Sequence, residues 1–179
     1  EYAFEGHSSG NMRANAWYIG AGIDLKNTIL KPMFYYRYAF MQGQKSDSKY
    51  YTRFDPLLTG GLGDWVQGIN MRKVLGNGNI ITHRLQARIN PSSSVDVSID
   101  YFHLRADSYI NVGGLAPITQ LKSKRLGDEI TVTTHWYINQ HFMLLGLGSI
   151  AIPGKAIRES VPGPIRDWSS IQLALFMFF

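Results

Sequence analysis

The stretch from Trp168 to Phe179 constrains the fold more than any other part of the sequence. From Ile171 onwards, one parity of this stretch is wholly apolar, and it comprises Ile171, Leu173, Leu175, Met177 and Phe179. The other parity is mixed: it includes the small or polar residues Ser170, Gln172 and Ala174 as well as Trp168 and, at the end, Phe176 and Phe178. Because successive side chains of a β-strand point to opposite faces, the stretch predicts a strand with one apolar face. The stretch is long enough for a tilted strand to cross a bilayer, which takes roughly ten residues.

Similar alternation recurs along the chain and predicts further strands. The predicted spanning strands lie at about 16–25, 30–40, 81–89, 95–101, 129–138 and 142–152. In the last of these, apolar residues occupy both parities, so its facing stays open. Glu1–Gly6 also alternates, but it is shorter than the roughly nine to eleven residues that span a bilayer. The pattern therefore predicts an all-β fold, an antiparallel transmembrane β-barrel with about seven full strands and one partial strand.

The composition argues against several other classes of protein. The sequence has no run of eighteen apolar residues, so no transmembrane helix is predicted. It contains no cysteine, which excludes disulfides and thiolate metal sites or nucleophiles. The net charge is +5, but the basic residues are scattered and form no cluster of the kind that binds nucleic acid. A soluble β-sandwich is disfavoured because the apolar parities are rich in aromatic residues.

The predicted connections are alternately short and long. The long ones are outer loops at about 42–78, 107–125 and 153–167, and the whole chain 1–179 is one barrel domain. In bacterial outer-membrane barrels the termini and short turns lie on the periplasmic side and the long loops lie outside. The terminal strand therefore runs towards the periplasm. This alternation holds only if Trp65–Leu75 is a strand extension or a structured part of the outer loop.

The partial strand Glu1–Gly6 bears on the size of the barrel. An open sheet edge in lipid would leave backbone hydrogen-bonding groups without partners. We therefore expect the sequence to be the C-terminal portion of a larger barrel. The alternative is a small closed barrel of eight strands with a structural or surface-binding role, its interior filled by side chains. The inner aromatic residues that would support this alternative are Tyr35, Phe102, Tyr137 and Phe176.

If the apolar parity faces lipid, the polar parity lines the lumen. The predicted lumen-lining or substrate-lining residues are Lys31, Arg37, Arg84, Gln86, Arg88, Asp96, Asp100, Glu129 and His135. A turn centred near Ser92 places Arg88 opposite Asp96. The same turn places Arg84 opposite Asp100. Such pairs stabilise the register by roughly 0.2–1 kcal/mol each and could also orient a polar solute, so both roles stay open.

The histidines and carboxylates give no catalytic pattern. His83 and His103 fall on the lipid-facing parity near the outer rim, without an evident serine and acid partner. Asp96 and Asp100 are each expected to face an arginine, which argues against a protonated catalytic acid. Three further aspartates in the first long loop match no known calcium-ligand spacing, namely Asp47, Asp55 and Asp64. We therefore predict that the protein is not an enzyme and holds no metal or cofactor.

Several stretches, in their order along the chain, resemble the alginate export family of outer-membrane β-barrel porins. They are Lys31-Pro32, Phe54-Asp55-Pro56-Leu57, His83-Arg84-Leu85 with Pro91, Asp100 to Asp107, Leu126 to Ile130, Ile152-Pro153-Gly154 and the terminal Phe179. The last strand, ending on Phe, also resembles the C-terminal strand of bacterial outer-membrane barrels. The resemblance implies a bacterial outer-membrane location and passive passage of an anionic polysaccharide or another polar solute. It does not specify alginate.

Basic residues in the outer segments suggest partners. They are Lys45, Lys49, Arg53, Arg72, Lys73, Lys122, Lys124, Arg125, Lys155, Arg158 and Arg166. They could attract an anionic polymer to the mouth of a channel, or bind phosphates of outer-membrane lipid and lipopolysaccharide. The sequence leaves open whether other outer-membrane or periplasmic subunits are partners of the protein.

Overall fold

The computed structural model describes residues 1–6, 11–55, 67–72, 78–111 and 118–179. Within these ranges it confirms the predicted all-β antiparallel fold: eight strands form one sheet in sequence order. The strands are β1 Tyr2–Gly6, β2 Arg13–Asp24, β3 Met33–Met41, β4 Ile80–Ser92, β5 Val95–Arg105, β6 Arg125–Tyr137, β7 Phe142–Pro153 and β8 Trp168–Met177. The sheet is not closed, since β1 and β8 are its two edges. None of the described helices is long and apolar enough to cross a bilayer.

One face of the sheet carries the apolar parity predicted from the sequence. We call it the apolar face, and its exposed large side chains include Ile19, Ile23, Phe34, Tyr36, Leu85, Ile99, Ile130, Val132, Ile150, Ile171, Leu173, Leu175 and Met177. In β8 the alternation is complete, since Ile171 is 85% exposed while its neighbours Ser170 and Gln172 are partly buried. A continuous apolar surface of this extent is unfavourable in water and needs a nonpolar environment, such as lipid or another protein surface.

The sequence leaves open on which face of the sheet each side chain of β7 lies, and the contacts in the structure resolve this. Leu145 and Leu147 are buried on the opposite, polar face, whereas Ile150 and Ile152 are exposed on the apolar face. Leu145 and Leu147 pack with Ile69, which comes from the first long connection. The leucines are therefore covered by another part of the chain, which alternation within the strand cannot reveal.

The two ends of the sheet differ in the length of their connections. At one end, the turn end, the connections are residues 25–32, 93–94 and 138–141. At the other, the loop end, residues 42–79, 106–124 and 154–167 connect successive strands. The last of these contains a helix, α1 (Lys155–Ser160), that the Pro- and Gly-rich composition of the loop does not predict. Ala156 and Ile157 of α1 are buried, so contact with the sheet stabilises this short helix.

The β4–β5 hairpin differs from the predicted register. Arg88 lies opposite Ser98 and Arg84 lies opposite Phe102, so neither arginine directly faces an aspartate. The turn is centred later than predicted, on residues 93–94, and the register shifts between Ile89 and Ser92. A polar turn of several serines allows more than one centre, and the sequence does not distinguish them.

Buried apolar side chains cover the loop-end half of the polar face. Their cluster comprises Met71, Ile80, Phe102, Leu104, Ala106, Leu121, Leu126, Ala151, Ala156 and Ile157. These side chains come from four strands, α1 and two of the long connections. The loop-end connections are therefore packed against the sheet.

We predict that Phe102→Ala lowers the free energy of unfolding of the detergent-solubilised protein by about 3–5 kcal/mol, because the ring is fully buried and its loss leaves a cavity. Urea titration followed by tryptophan fluorescence would measure this. The matched control is Leu173→Ala, whose side chain lies on the apolar face and leaves no internal cavity. An equal loss in both variants would contradict the assignment of Phe102 to a packed core.

Candidate functional site

The polar face holds most of the residues predicted to line a lumen. Eight of the nine lie on strands, at positions that alternate with apolar-face residues; they are Arg37, Arg84, Gln86, Arg88, Asp96, Asp100, Glu129 and His135. Lys31 differs, because it lies in the β2–β3 turn, before the first residue of β3. Its backbone has φ 44°, a left-handed conformation that belongs to the turn and not to a strand.

The centre of the polar face is a charged network around Asp100. The Arg84 Nε donates to Asp100 Oδ1 at 2.6 Å, and both side chains are almost fully buried. Gln86 donates to the same oxygen at 3.0 Å, and the Ser98 hydroxyl donates to the other carboxylate oxygen at 3.4 Å. The predicted Arg84–Asp100 interaction therefore exists as a diagonal pair, although the two residues do not face each other directly.

A second arginine lies directly opposite Arg84. Arg37 on β3 is its register partner, and the two side chains are 7% and 5% exposed. The Arg37 guanidinium lies 5.6 Å from the centre of the Tyr18 ring, within the range of cation–π attraction. Two guanidinium groups and the Asp100 carboxylate thus lie close together on this part of the polar face, where burial weakens the screening of their charges by salt.

The pair Asp96–Arg88 that the predicted register implies is not present among the described contacts. Asp96 instead faces His135 on β6, and the ring Nδ1 lies 2.9 Å from the Asp96 Oδ1. Arg88 is exposed on the polar face near the turn end. It is therefore the strand arginine of this face that a dissolved molecule reaches most directly.

Among the described carboxylates of the polar face, Glu129 is the most deeply buried, with no exposed surface. Its Oε1 accepts hydrogen bonds from the Thr131 and Ser149 hydroxyls at 3.1 and 2.6 Å. The same carboxylate accepts the backbone N–H groups of Asn70 at 2.9 Å and Met71 at 2.7 Å. These four donors satisfy a charge that would otherwise be very costly to bury.

Through these bonds Glu129 holds Gln67–Arg72, which we call the inner segment, against the polar face. Asn70 also accepts the Ser170 hydroxyl at 2.7 Å, so the segment contacts β8 as well as β6. Gly68 has φ +77°, and a Cβ at this position would collide with the Glu129 carboxyl group. The inner segment thus occupies part of the space in front of the polar face.

The inner segment is the described part of Trp65–Leu75, predicted as a strand extension or a structured loop. It contains no strand, so the structured-loop reading fits these residues, and the rest of Trp65–Leu75 lies outside the described residues. The role of Glu129 as an anchor was not predicted. The only signal in the sequence was a glutamate on a polar parity among threonines, which does not indicate a partner 58 residues away.

The apolar face carries a second polar cluster near the loop end. His103 Nδ1 lies 2.8 Å from Asp128 Oδ1, an acid partner that was not evident from the sequence. The pairing was missed because Asp128 lies across the β5–β6 ladder. His83 is hydrogen bonded to the Tyr36 hydroxyl at 2.9 Å. Within the described ranges no serine hydroxyl is hydrogen bonded to either imidazole, so no catalytic triad is formed.

The three aspartates considered for calcium form no site in the described structure. Asp55 pairs with Arg53 at 3.3 Å, and Asp64 lies outside the described residues. Among the described residues there is no group of three or more acidic or histidine side chains arranged to hold a metal ion.

An antiparallel meander with one continuous apolar face and one charged, polar face is the wall of a porin-type β-barrel. The comparison with known families agrees, because the model of the family described as "Alginate export" matches residues 4–166. The chain therefore belongs to the alginate export family, a family of outer-membrane transport porins. No protein with curated annotation matches the chain.

We predict that Glu129→Gln releases the inner segment. A glutamine offers one acceptor and turns an N–H group towards the backbone donors of Asn70 and Met71, so stability falls by about 2–3 kcal/mol. Hydrogen exchange measured by mass spectrometry should show faster exchange of the Asn70 and Met71 amides. The matched control is Glu159→Gln, on the exposed surface of α1. Unchanged protection in Glu129→Gln would contradict the anchoring role.

Proposed function

We propose that the chain forms part of the wall of a channel in the bacterial outer membrane, through which a polar, anionic solute or polysaccharide passes without chemical change. The observation that carries the proposal is the division of the sheet into a continuous apolar face and a charged polar face, on which Arg37 and Arg84 lie in register on neighbouring strands. Guanidinium groups attract anions and are suited to bind carboxylate or phosphate. A polar face that carries them supports passage of an anionic solute.

The burial of these two arginines defines how they act. At 7% and 5% exposure they influence a solute through their field and not by direct contact. The exposed Arg88 is the complementary contact group, since its guanidinium can bind carboxylate or phosphate with two parallel hydrogen bonds. Asp24, Asp96, Asp100 and Glu129 on the same face keep its total charge close to neutral. The proposed channel is therefore moderately selective.

The loop end of the sheet supports an outward orientation. The described basic residues there include Lys45, Lys49, Arg53, Arg72, Lys122, Lys124, Arg125, Lys155, Arg158 and Arg166, and Lys73 lies outside the described residues. Such an excess raises the local concentration of a polyanion at the mouth of a channel. Long connections lie on the outer side of barrels of this class, which supports an orientation with the turn end in the periplasm.

The open edges of the sheet bear on the alternative of a small closed barrel. β1 and β8 do not pair with each other, and in lipid each edge needs another strand. Of the aromatic residues expected to fill a small barrel, Phe102 is fully buried but Tyr137 is 47% exposed. These observations favour a wider barrel, in which the polar face borders solvent near the turn end.

The proposal is tested by ion conductance of the full-length protein in planar bilayers. Replacing Arg37, Arg84 and Arg88 by Ser should lower the anion-to-cation permeability ratio by about two- to fivefold. Each lost charge changes the electrostatic energy of a passing monovalent ion by a fraction of a kcal/mol, up to about 1 kcal/mol. The reversal potential in a KCl gradient measures this ratio. Arg13→Ser, which removes one charge from the apolar-face parity, is the control. Absence of conductance from correctly folded protein would refute the channel.

A further inference from the structure

The polar cluster on the apolar face surrounds an open pocket at the loop end. Its charged lining comprises His103, Arg105, Lys124, Arg125 and Asp128. Three permanent cations thus accompany a single carboxylate. The pocket opens on the side of the sheet opposite to the Arg37–Arg84 pair, so a solute moving along the polar face cannot reach it.

The position of the pocket along the strands is that of a membrane interface. On β5 and β6 the apolar face is formed by Ile99 and Ile130. Asp128 lies one step of the same parity beyond Ile130, and His103 and Arg105 lie two and three steps beyond Ile99. Two residues along a strand advance about 7 Å, so the charges lie just beyond the apolar band. The exposed rings of Tyr101 and Tyr109 line the same pocket, as expected for aromatic residues at headgroup depth.

Asp128 organises the pocket. It is only 8% exposed, although it lies on the face that carries the apolar band. Its Oδ1 accepts the Tyr101 hydroxyl at 2.7 Å and lies 2.8 Å from His103 Nδ1, while its Oδ2 accepts Arg125 Nη2 at 3.0 Å. A guanidinium held at one nitrogen keeps further N–H donors for a second anion. The carboxylate therefore fixes Arg125 in place without using all of its donors.

The two other cations are positioned independently of Asp128. The Lys124 ammonium donates to the backbone carbonyl of Asp107 and lies 5.1 Å from the centre of the Tyr109 ring. Arg105 is exposed at the end of β5, and its backbone is paired with that of Arg125 across the β5–β6 ladder. Two guanidinium groups and one ammonium thus come from adjacent strand ends and converge on one pocket.

We propose that this pocket binds a phosphate group of an acidic lipid headgroup in the outer leaflet of the membrane. The proposal rests on the membrane location stated under the proposed function. A tetrahedral phosphate presents several strong acceptors, which match the forked donors of arginine and the point charge of lysine. The acyl chains of the lipid that carries this phosphate would lie along the adjacent apolar band. A free anion would lose this second contribution, which is why a lipid is the favoured occupant.

Native mass spectrometry of the full-length protein can test the lipid site. The protein would be titrated with lipid A carrying two phosphates, with the same lipid after enzymatic dephosphorylation, and with inorganic phosphate as a competitor. We expect the phosphorylated lipid to bind about tenfold or more tightly than the dephosphorylated one, and inorganic phosphate at equal concentration not to displace it. Equal binding of both lipids, or displacement by inorganic phosphate, would overturn the proposal.

Variants separate a built site from a general attraction to positive charge. Arg105→Gln combined with Lys124→Gln should weaken lipid binding about tenfold or more, whereas the matched pair Lys122→Gln with Lys155→Gln should change it less than about twofold. Asp128→Asn makes the protein more positive but frees Arg125, so it should weaken binding. Tighter binding in Asp128→Asn, or equal loss in both double variants, would contradict the site.

The bilayer measurement keeps the two proposals distinguishable. The Arg105→Gln single variant should retain wild-type conductance, because Arg105 lies on the face turned away from the proposed lumen. Lipid binding is measured without any current. Loss of lipid selectivity with intact conductance refutes the phosphate site alone, and lipid selectivity without conductance refutes the channel alone.

Discussion

The structure depends on the pairing of backbone groups between neighbouring strands. A segment in lipid has no water to satisfy its N–H and C=O groups, so each strand needs a ladder on both sides. The continuous order from β1 to β8 provides these ladders for the six inner strands. Only when the backbone is satisfied in this way can one face consist of large apolar side chains exposed to the surroundings. The division into an apolar and a polar face follows from the pleat of the paired strands.

The carboxylates of the two faces are stabilised by different kinds of partner. On the polar face, Glu129 is buried completely and is satisfied by hydroxyls and by two backbone amides of the inner segment. On the described part of the apolar face, Asp128 lies at the loop end of the apolar band and gathers a histidine, a tyrosine and an arginine. In each case a single carboxylate determines the position of groups from distant parts of the chain. Buried carboxylates without such partners would be strongly destabilising.

The predicted site residues show which structural features an alternating pattern can predict and which it cannot. Parity correctly placed Arg37, Arg84, Asp100 and Glu129 on one face, because the side-chain period of a strand is two regardless of register. Parity cannot specify which residue lies opposite, since moving the turn by one position shifts every cross-strand pair by two residues. This explains why Arg84 still reaches Asp100, along a diagonal, whereas Asp96 has a histidine as its partner in place of Arg88.

The sequence by itself determined the all-β class, the approximate strands, their two faces and the alternation of short and long connections. These features depend on neighbours along the chain, and local periodicity records them. The tertiary structure decided the turn centre of the β4–β5 hairpin, the helix α1, the inner segment bound to Glu129 and the pairing of His103 with Asp128. Each of these depends on contacts between residues far apart in sequence. Their energies arise only when the sheet brings such residues together, so no local pattern can specify them.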